Sequence, residues 1–264
     1  MIYVIGGGGF VGSAYVRMLA ARGLPVKAIT RANYGELRGS SCAVLVNANG
    51  NSKKFLSTRD PLWDFDASVR SVAASLEDFK AERYVFLSSG DVYPEAFAPA
   101  VTREDQAIDL GRVSRYGLHK FLAEQLVRSV HPSWLVVRMG GFVGEGLRKN
   151  AIFDMLAGAP VWLSPDSELQ FIDTADAARI VWELIEAGRQ REVVNLGAEG
   201  VLNLGAFHRA IGSTSAFKPD APAVRYELSL ERLRALRGGA PLPRTADCVM
   251  RFAEAVRAGR IQLT

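Results

Sequence analysis

The 264-residue chain predicts an α/β fold, a doubly wound parallel sheet with a small C-terminal lobe. Three observations carry that expectation. A glycine run separates an apolar strand pattern from a helical one near the N-terminus. Strand and helix patterns then alternate through most of the chain. Past Gly144 the alternation loosens into a proline-containing tail.

Ile2-Tyr3-Val4-Ile5 reads as a short buried strand. It is followed by Gly6-Gly7-Gly8-Gly9-Phe10-Val11-Gly12. Apolar residues then recur at helical spacing (Tyr15, Val16, Leu19, Ala20) up to Gly23, a good C-terminal stop. A strand, a glycine turn and a helix N-terminus make a diphosphate cradle, because the backbone can approach the anion and unpaired N–H groups point at it. Two spacings coexist in the run. Gly7, Gly9 and Gly12 fit G-x-G-x-x-G, whereas Gly6, Gly9 and Gly12 fit G-x-x-G-x-x-G.

Strand two is expected over 26–30, followed by a short segment broken by Gly35 and Gly39, and strand three over 43–46, ending in Asn47-Ala48-Asn49-Gly50. Residues 66–79 carry Val69, Val72, Ala73 and Leu76 on one helix face. The next strand covers 84–87 and ends in Ser88-Ser89-Gly90. A helix over 115–130 precedes His131-Pro132, and 134–137 is a further strand. Beyond Gly144 come a short strand at 169–172, a helix at 176–187 and a strand at 193–196. The tail holds Pro219, Pro222, Pro241 and Pro243. One nucleotide-binding domain is expected over 1–264, with its core at about 1–145 and 168–196. A smaller substrate lobe is expected at about 146–167 and 197–264. No internal repeat is apparent.

With 48% hydrophobic residues the composition suits a soluble globular protein. No stretch reaches the ~18 apolar residues of a membrane span. The N-terminus has no basic region with a following apolar stretch and cleavage site, so a cytosolic location is expected. Cys42 and Cys248 are far apart, and His119, His131 and His208 are scattered, so neither a metal site nor a disulfide framework is expected. The net charge is +4, and 25 of the 32 basic residues are Arg, dispersed without a basic tract. Nucleic acid is therefore not an expected partner.

Tyr116 and Lys120 stand four apart on one helix face. A free phenol has a pKa of ~10, too high for a base at neutral pH. A nearby Lys120 cation, helped by the positive charge of an oxidised nicotinamide, favours the phenolate. Ser89, at the carboxyl end of a strand, can hold a substrate oxygen by hydrogen bonding.

Taken in order, these segments resemble an extended short-chain dehydrogenase/reductase of the NAD-dependent epimerase/dehydratase family, a Rossmann fold whose members act on nucleotide sugars. The matches begin with Gly6/Gly9/Gly12 and Ser88-Ser89-Gly90-Asp91-Val92-Tyr93-Pro94, at the family's Ser-Ser-x-x-Val-Tyr-Gly site. Tyr116/Lys120 follow, then Arg138 through Gly144 at its Arg-x-x-Asn-Val-Tyr-Gly segment. Gln170 through Asp176 is similar to its Arg-x-Phe-x-x-Val-x-Asp. The resemblance covers about 1–200. It implies that Tyr116 is the proton donor/acceptor, that Lys120 binds the nicotinamide ribose and that Ser89 orients the reacting oxygen. It further implies cofactor contacts at Gly6, Gly9, Phe10, Val11 and Gly12 and at Asn47, Ala48 and Asn49. Arg148 and Asn150 follow the Gly144–Gly146 turn, where resembling enzymes grip a substrate diphosphate. The family often dimerises through a four-helix bundle, here the 66–79 and 115–130 helices.

Departures are equally specific. Gly141 replaces an asparagine that often contacts substrate, and Asn49-Gly50 stands where two small apolar residues usually lie. The region between strands two and three is short, so one strand of the family is expected to be missing. Asp91, two residues past Ser89, is a candidate substrate contact or a turn cap. Resembling 4,6-dehydratases carry Glu after an Asp there, and resembling 3,5-epimerase-reductases carry Cys. With one candidate carboxylate and no Cys, both reactions are disfavoured. His119 is expected to face solvent, and Phe142 and Phe171 to be core.

The expected activity is reduction of the 4-keto group of a nucleotide-activated sugar with hydride from NAD(P)H. A 4-epimerase using the same three residues is the nearest alternative. A non-catalytic nucleotide sensor and a reductase of non-sugar carbonyls are further ones. NADP is favoured over NAD, because strand two ends in Ala28-Ile29-Thr30-Arg31 and the first acidic residue of the chain is Glu36. Arg31 offers a guanidinium to a 2′-phosphate where NAD folds place a carboxylate.

Overall fold

The computed structural model describes residues 1–51 and 53–263. In chain order the elements begin β1 (Ile2–Ile5), α1 (Phe10–Ala21), β2 (Val26–Ile29) and β3 (Ser41–Asn47). Next are α2 (Leu56–Arg59), α3 (Pro61–Phe65), α4 (Ser71–Asp78), β4 (Lys80–Ser89), α5 (Arg115–Val130) and β5 (Trp134–Met139). Then come β6 (Gly141–Val143), α6 (Ala151–Ala157), β7 (Glu168–Leu169), β8 (Phe171–Asp173), α7 (Thr174–Glu186) and β9 (Glu192–Leu196). The tail forms β10 (Leu202–Asn203), α8 (Leu204–Ala210), β11 (Arg225–Tyr226), α9 (Glu231–Leu236) and α10 (Thr245–Arg257). No described helix is long and apolar enough to cross a membrane.

Two compact units divide the chain. The first holds Met1–Glu95, Glu104–Met139 and Ala178–Asn195. Its six-stranded sheet runs β2-β1-β3-β4-β5-β9, and every pairing from β2 to β5 is parallel. Ile2 faces Val26 on one side and Val44 on the other, which makes β1 an interior strand and explains why all four of its residues are buried. β2 is the sheet edge. The short 30–40 connection contains a single 3-10 turn, Gly35–Leu37, so the extra strand is absent as the spacing implied. Tyr3, Ile29, Leu45, Val72, Phe86, Val127 and Val136 belong to one buried cluster. Full burial of such a side chain contributes about 1.5–3 kcal/mol.

Two departures from the expected elements have physical causes. β4 spans ten residues rather than 84–87, because its polar first half pairs with β3 (Ser41 opposite Lys80) and carries no apolar signal. The single helix expected at 66–79 is α4 preceded by a π-helical turn at Asp66–Arg70 and by the short α2 and α3. Asp60 starts α3 by accepting the Trp63 N–H at 3.2 Å, with Pro61 at the first helical position.

A buried polar network fixes the carboxyl end of β4. Glu124 in α5 receives Arg138 Nε at 3.1 Å and Arg138 Nη2 at 2.8 Å, and also the Ser88 hydroxyl. Arg138 donates to Tyr93 at 3.0 Å, and Tyr93 donates to Asn195 at 2.9 Å. Both charges are paired and hydrogen-bonded, as burial requires.

The second unit holds Ala96–Arg103, Gly140–Ala177 and the chain from Leu196 onward. β6 pairs in parallel with β8, and a three-stranded sheet runs β10-β7-β11. The single strand expected at 169–172 is thus two strands in two sheets. Gln170 stands between them, buried. Its amide donates to Ala198 O at 2.9 Å and accepts the Leu228 N–H at 3.0 Å, while its backbone N–H donates to Tyr226 O at 3.0 Å.

Candidate functional site

The glycine turn closes on itself. Gly6 has φ +74°, the Gly9 N–H donates to Gly6 O at 2.8 Å, and a β-carbon on Gly12 would lie 2.3 Å from that same oxygen. The turn therefore uses the Gly6/Gly9/Gly12 spacing. Gly7 serves separately, in close packing on Ala28 of β2, where a β-carbon would stand 2.7 Å from the Ala28 methyl. Gly9 caps α1 without a side-chain hydrogen bond, and no carboxylate stands in the helix's first turn. The N–H groups of Phe10, Val11 and Gly12 thus sit at the positive end of a helix dipole. This cradle fits a dinucleotide diphosphate.

The loop after β3 adjoins that turn. A β-carbon on Gly6 would lie 3.0 Å from Ala48 O, and one on Gly50 would lie 3.5 Å from Lys120 Nζ. Asn47 and Asn49 shape the loop with their side chains. Asn47 Nδ2 donates to Tyr84 at 2.7 Å and to Ser75 at 3.2 Å, and its Oδ1 accepts the Asn49 N–H at 2.9 Å. Asn49 donates to Ser71 at 3.1 Å. Arg31 stands exposed in the turn after β2, a turn held by the Thr30 N–H on Asn33 Oδ1 at 2.8 Å. Glu36 is exposed on the following 3-10 turn.

Ser89 ends β4, and Tyr116 and Lys120 lie on the first turns of α5, whose N-cap Ser114 accepts the Gly117 N–H at 3.1 Å. Ser89 is near enough to Tyr116 for its side chain to act on the phenol. Its own hydroxyl donates to Asp91 Oδ2 at 2.8 Å and accepts the Asp91 N–H at 3.2 Å. Asp91 is also ion-paired with Lys54, whose ammonium stands 5.7 Å from the Tyr116 ring centroid. Lys120 is 3% exposed, donates to Leu87 O at 2.8 Å and lies 4.4 Å from the Phe86 ring centroid. Burial lowers its pKa to about 8 against the opposing charges of Glu124, Asp64 and Asp91.

The electrostatics of Tyr116 differ from the expectation. Burial, then the charges of Asp91 and Asp64, push the phenol well above its ordinary range, and neighbouring Ser89 pulls the other way. In the chain by itself Tyr116 is a held acid rather than a phenolate. Chemically, a protonated phenol and a serine hydroxyl side by side can bind one carbonyl oxygen and protonate it as negative charge develops there.

His119 does not face solvent. Its ring is buried, with Nδ1 donating to Asp64 Oδ2 at 2.6 Å and its plane edge-on to Phe65 at 5.5 Å. Asp64, Asn51 and Lys54 were not legible as site residues. Asp64 meets His119 across 55 positions and Lys54 pairs with the distant Asp91, and neither periodicity nor motif spacing encodes such pairs. In the second unit Arg148 is exposed in the loop before α6, whereas Asn150 caps α6. The Asn150 side chain accepts the Phe153 N–H at 2.9 Å and donates to Phe142 O at 2.9 Å. Phe171 is core. At Gly141 a β-carbon would fall 2.7 Å from Gln170 O, so the close β6–β8 approach leaves no room for asparagine.

Comparison with known proteins agrees with this architecture. A curated relative, dTDP-4-dehydro-6-deoxy-D-allose reductase from a Streptomyces species, is 26% identical, with 76% of this chain and 77% of that protein covered. The crystal structure of a UDP-galactose 4-epimerase superposes with TM-score 0.79 at 22% identity, covering 98% of this chain and 99% of that one. The structure of RMD from Pseudomonas aeruginosa complexed with NADPH superposes with TM-score 0.77 at 19% identity, covering 96% and 99%. Residues 2–197 match the NAD dependent epimerase/dehydratase family, and the chain belongs to that family.

Proposed function

We propose that this enzyme reduces the 4-keto group of a nucleotide-activated sugar with NADPH. The observation that carries the reading is Tyr116 standing beside Ser89, in a setting that keeps the phenol protonated until a carbonyl oxygen needs it. A bound reduced nicotinamide supplies the hydride to the carbonyl carbon. Tyr116 gives its proton to the carbonyl oxygen, Ser89 holds that oxygen, and the Lys120 ammonium holds the cofactor's ribose. The cradle at Gly6, Gly9, Phe10, Val11 and Gly12 takes the diphosphate, and Arg31 the 2′-phosphate. Arg148 is the proposed contact for the substrate's diphosphate. The reductase activity named for the 26% identical relative supports the same direction of reaction.

An epimerase would begin with oxidation and so would need the phenolate at the start. The two carboxylates that act on Tyr116 oppose that state. The α4–α5 surface, lined by Ala73, Leu76, Leu126 and Val130, is the proposed contact for a homodimer, and the proposed location is the cytosol.

The test is a screen of nucleotide 4-keto sugars for NADPH oxidation. Stoichiometric consumption of NADPH is expected, and Tyr116→Phe is expected to lower turnover by at least ~10²-fold with cofactor binding retained. Turnover without net cofactor consumption would instead establish the epimerase, and a Phe variant of near wild-type rate would remove Tyr116 from the chemistry.

A further inference from the structure

A fully buried carboxylate outside the Ser–Tyr–Lys set organises the same region. Asp64 is 0% exposed and makes three side-chain contacts. Its Oδ1 accepts Asn51 Nδ2 at 2.7 Å and Ser68 Oγ at 3.3 Å, and its Oδ2 accepts His119 Nδ1 at 2.6 Å. Each partner comes from a different segment. Asn51 closes the loop after β3 and, through its Oδ1, accepts the Lys53 N–H at 2.6 Å. Ser68 lies in the π-helical turn before α4. His119 lies in α5 between Tyr116 and Lys120. The neighbouring Gly50 is the loop residue that approaches Lys120 Nζ.

We propose that Asp64 is a positioning residue for the reaction centre. Its carboxylate ties the loop after β3 to the turn of α5 that carries Tyr116 and Lys120, and it sets a fixed negative charge behind both groups. The proposal rests on the catalytic reading of Tyr116 and Lys120 given above. A structural anchor alone could be any hydrogen-bonding group, because Ser68 and Asn51 are neutral donors. A carboxylate adds charge, which favours a protonated Tyr116 and a charged Lys120, the pair of states that reduction needs. The other titratable groups around this pair are Asp91 at the end of β4 and Lys54 before α2. His119 and Glu124 complete the set on α5, the latter neutralised by Arg138 of β5.

The experiment compares Asp64→Asn with the native enzyme in the NADPH-dependent reaction as a function of pH, and titrates NADPH binding by fluorescence. The expected result is a kcat lowered about tenfold or more, an alkaline limb moved to lower pH by about half a unit to one unit, and NADPH affinity weakened a few-fold. A lowered kcat with an unmoved limb makes Asp64 purely structural and overturns the proposal, as does an unchanged kcat. If Asp64→Asn does not fold, His119 decides. His119→Asn, whose amide can donate to the same carboxylate, should keep at least about a third of kcat and the native limb. His119→Leu should lose about fivefold or more in kcat and in NADPH affinity, and a leucine variant equal to wild type overturns the tether. Tyr116→Phe, run alongside, separates the two ideas. Full turnover there defeats the catalytic reading, while the NADPH affinities still test the tether.

Discussion

The backbone oxygen of Asp91 lies 1.9 Å from where a β-carbon on Gly117 would stand. Helix α5 therefore meets the end of β4 at backbone contact, and this approach puts Tyr116, one residue before Gly117, within reach of the Ser89 hydroxyl. Gly117→Ala must push the two elements apart. Overpacking of this kind destabilises by about 1–3 kcal/mol. A displacement of about 1 Å at a reaction centre can lower the rate by ~10²-fold. The variant is expected to show both a lowered melting temperature and a collapsed kcat. A folded alanine variant with native kcat would mean that this close approach does not set the Ser89–Tyr116 geometry.

Much of this geometry is legible in the sequence, for reasons that differ by residue. Gly6, Gly9 and Gly12 and the Tyr116/Lys120 pair announce themselves because a turn and a helix impose fixed local spacings. The edge position of β2 follows from a connection too short to hold another strand. Asp64 and His119 were not legible because they meet across 55 positions, and a lone histidine on a helix gives no hint of a buried partner. The held protonation of Tyr116 was missed for a related reason. Local spacing places Lys120 nearby, but burial and the two carboxylates outweigh it, and only tertiary packing determines those.

Asp91 competes for the single proton of Ser89. With Asp91→Asn, that hydroxyl loses its charged acceptor and Lys54 loses its ion-pair partner. On the proposed reduction, Ser89 donates to the substrate oxygen and Tyr116 delivers the proton, so the loss is expected to be small, within about fivefold in kcat. Steady-state kinetics with solvent-deuterium labelling checks it. An inactive variant that has also lost deuterium incorporation at a sugar carbon would point to epimerisation or dehydration, with Asp91 as a carbon acid/base.

Lys120 predicts two pH effects with opposite consequences. Its pKa, lowered by burial to about 8 from the ordinary 10.5, means that the ammonium is lost as pH rises through about 8. The KM for NADPH is expected to rise above that pH, by up to tenfold per unit. For stability the sign is reversed. Between about 8 and 10.5 the unfolded chain binds more protons than the folded one, so this group's contribution to stability grows with pH across that window. Lys120→Met should abolish the pH dependence of NADPH binding and flatten the stability gain. Melting curves and NADPH titrations from about pH 7 to about pH 11, a range that brackets both the shifted and the ordinary lysine pKa, read both. A KM that stays flat through this range would remove Lys120 from cofactor binding.

Cofactor choice should reside at Arg31. The turn after β2 presents this guanidinium to solvent, and Glu36, the first carboxylate in the chain, sits on the next 3-10 turn with its side chain exposed. A 2′-phosphate would gain charge-assisted hydrogen bonds from Arg31, worth about 1.5–3 kcal/mol. Arg31→Ala is therefore expected to weaken NADPH binding by roughly ten- to a hundredfold while leaving NADH nearly unchanged. Glu36→Gln should help NADPH slightly if that side chain swings toward the ribose. Calorimetric titration of both nucleotides against both variants decides it. Tighter native binding of NADH than of NADPH, or an Arg31→Ala variant with native NADPH affinity, would assign the preference elsewhere and leave Arg31 as a solvated turn residue.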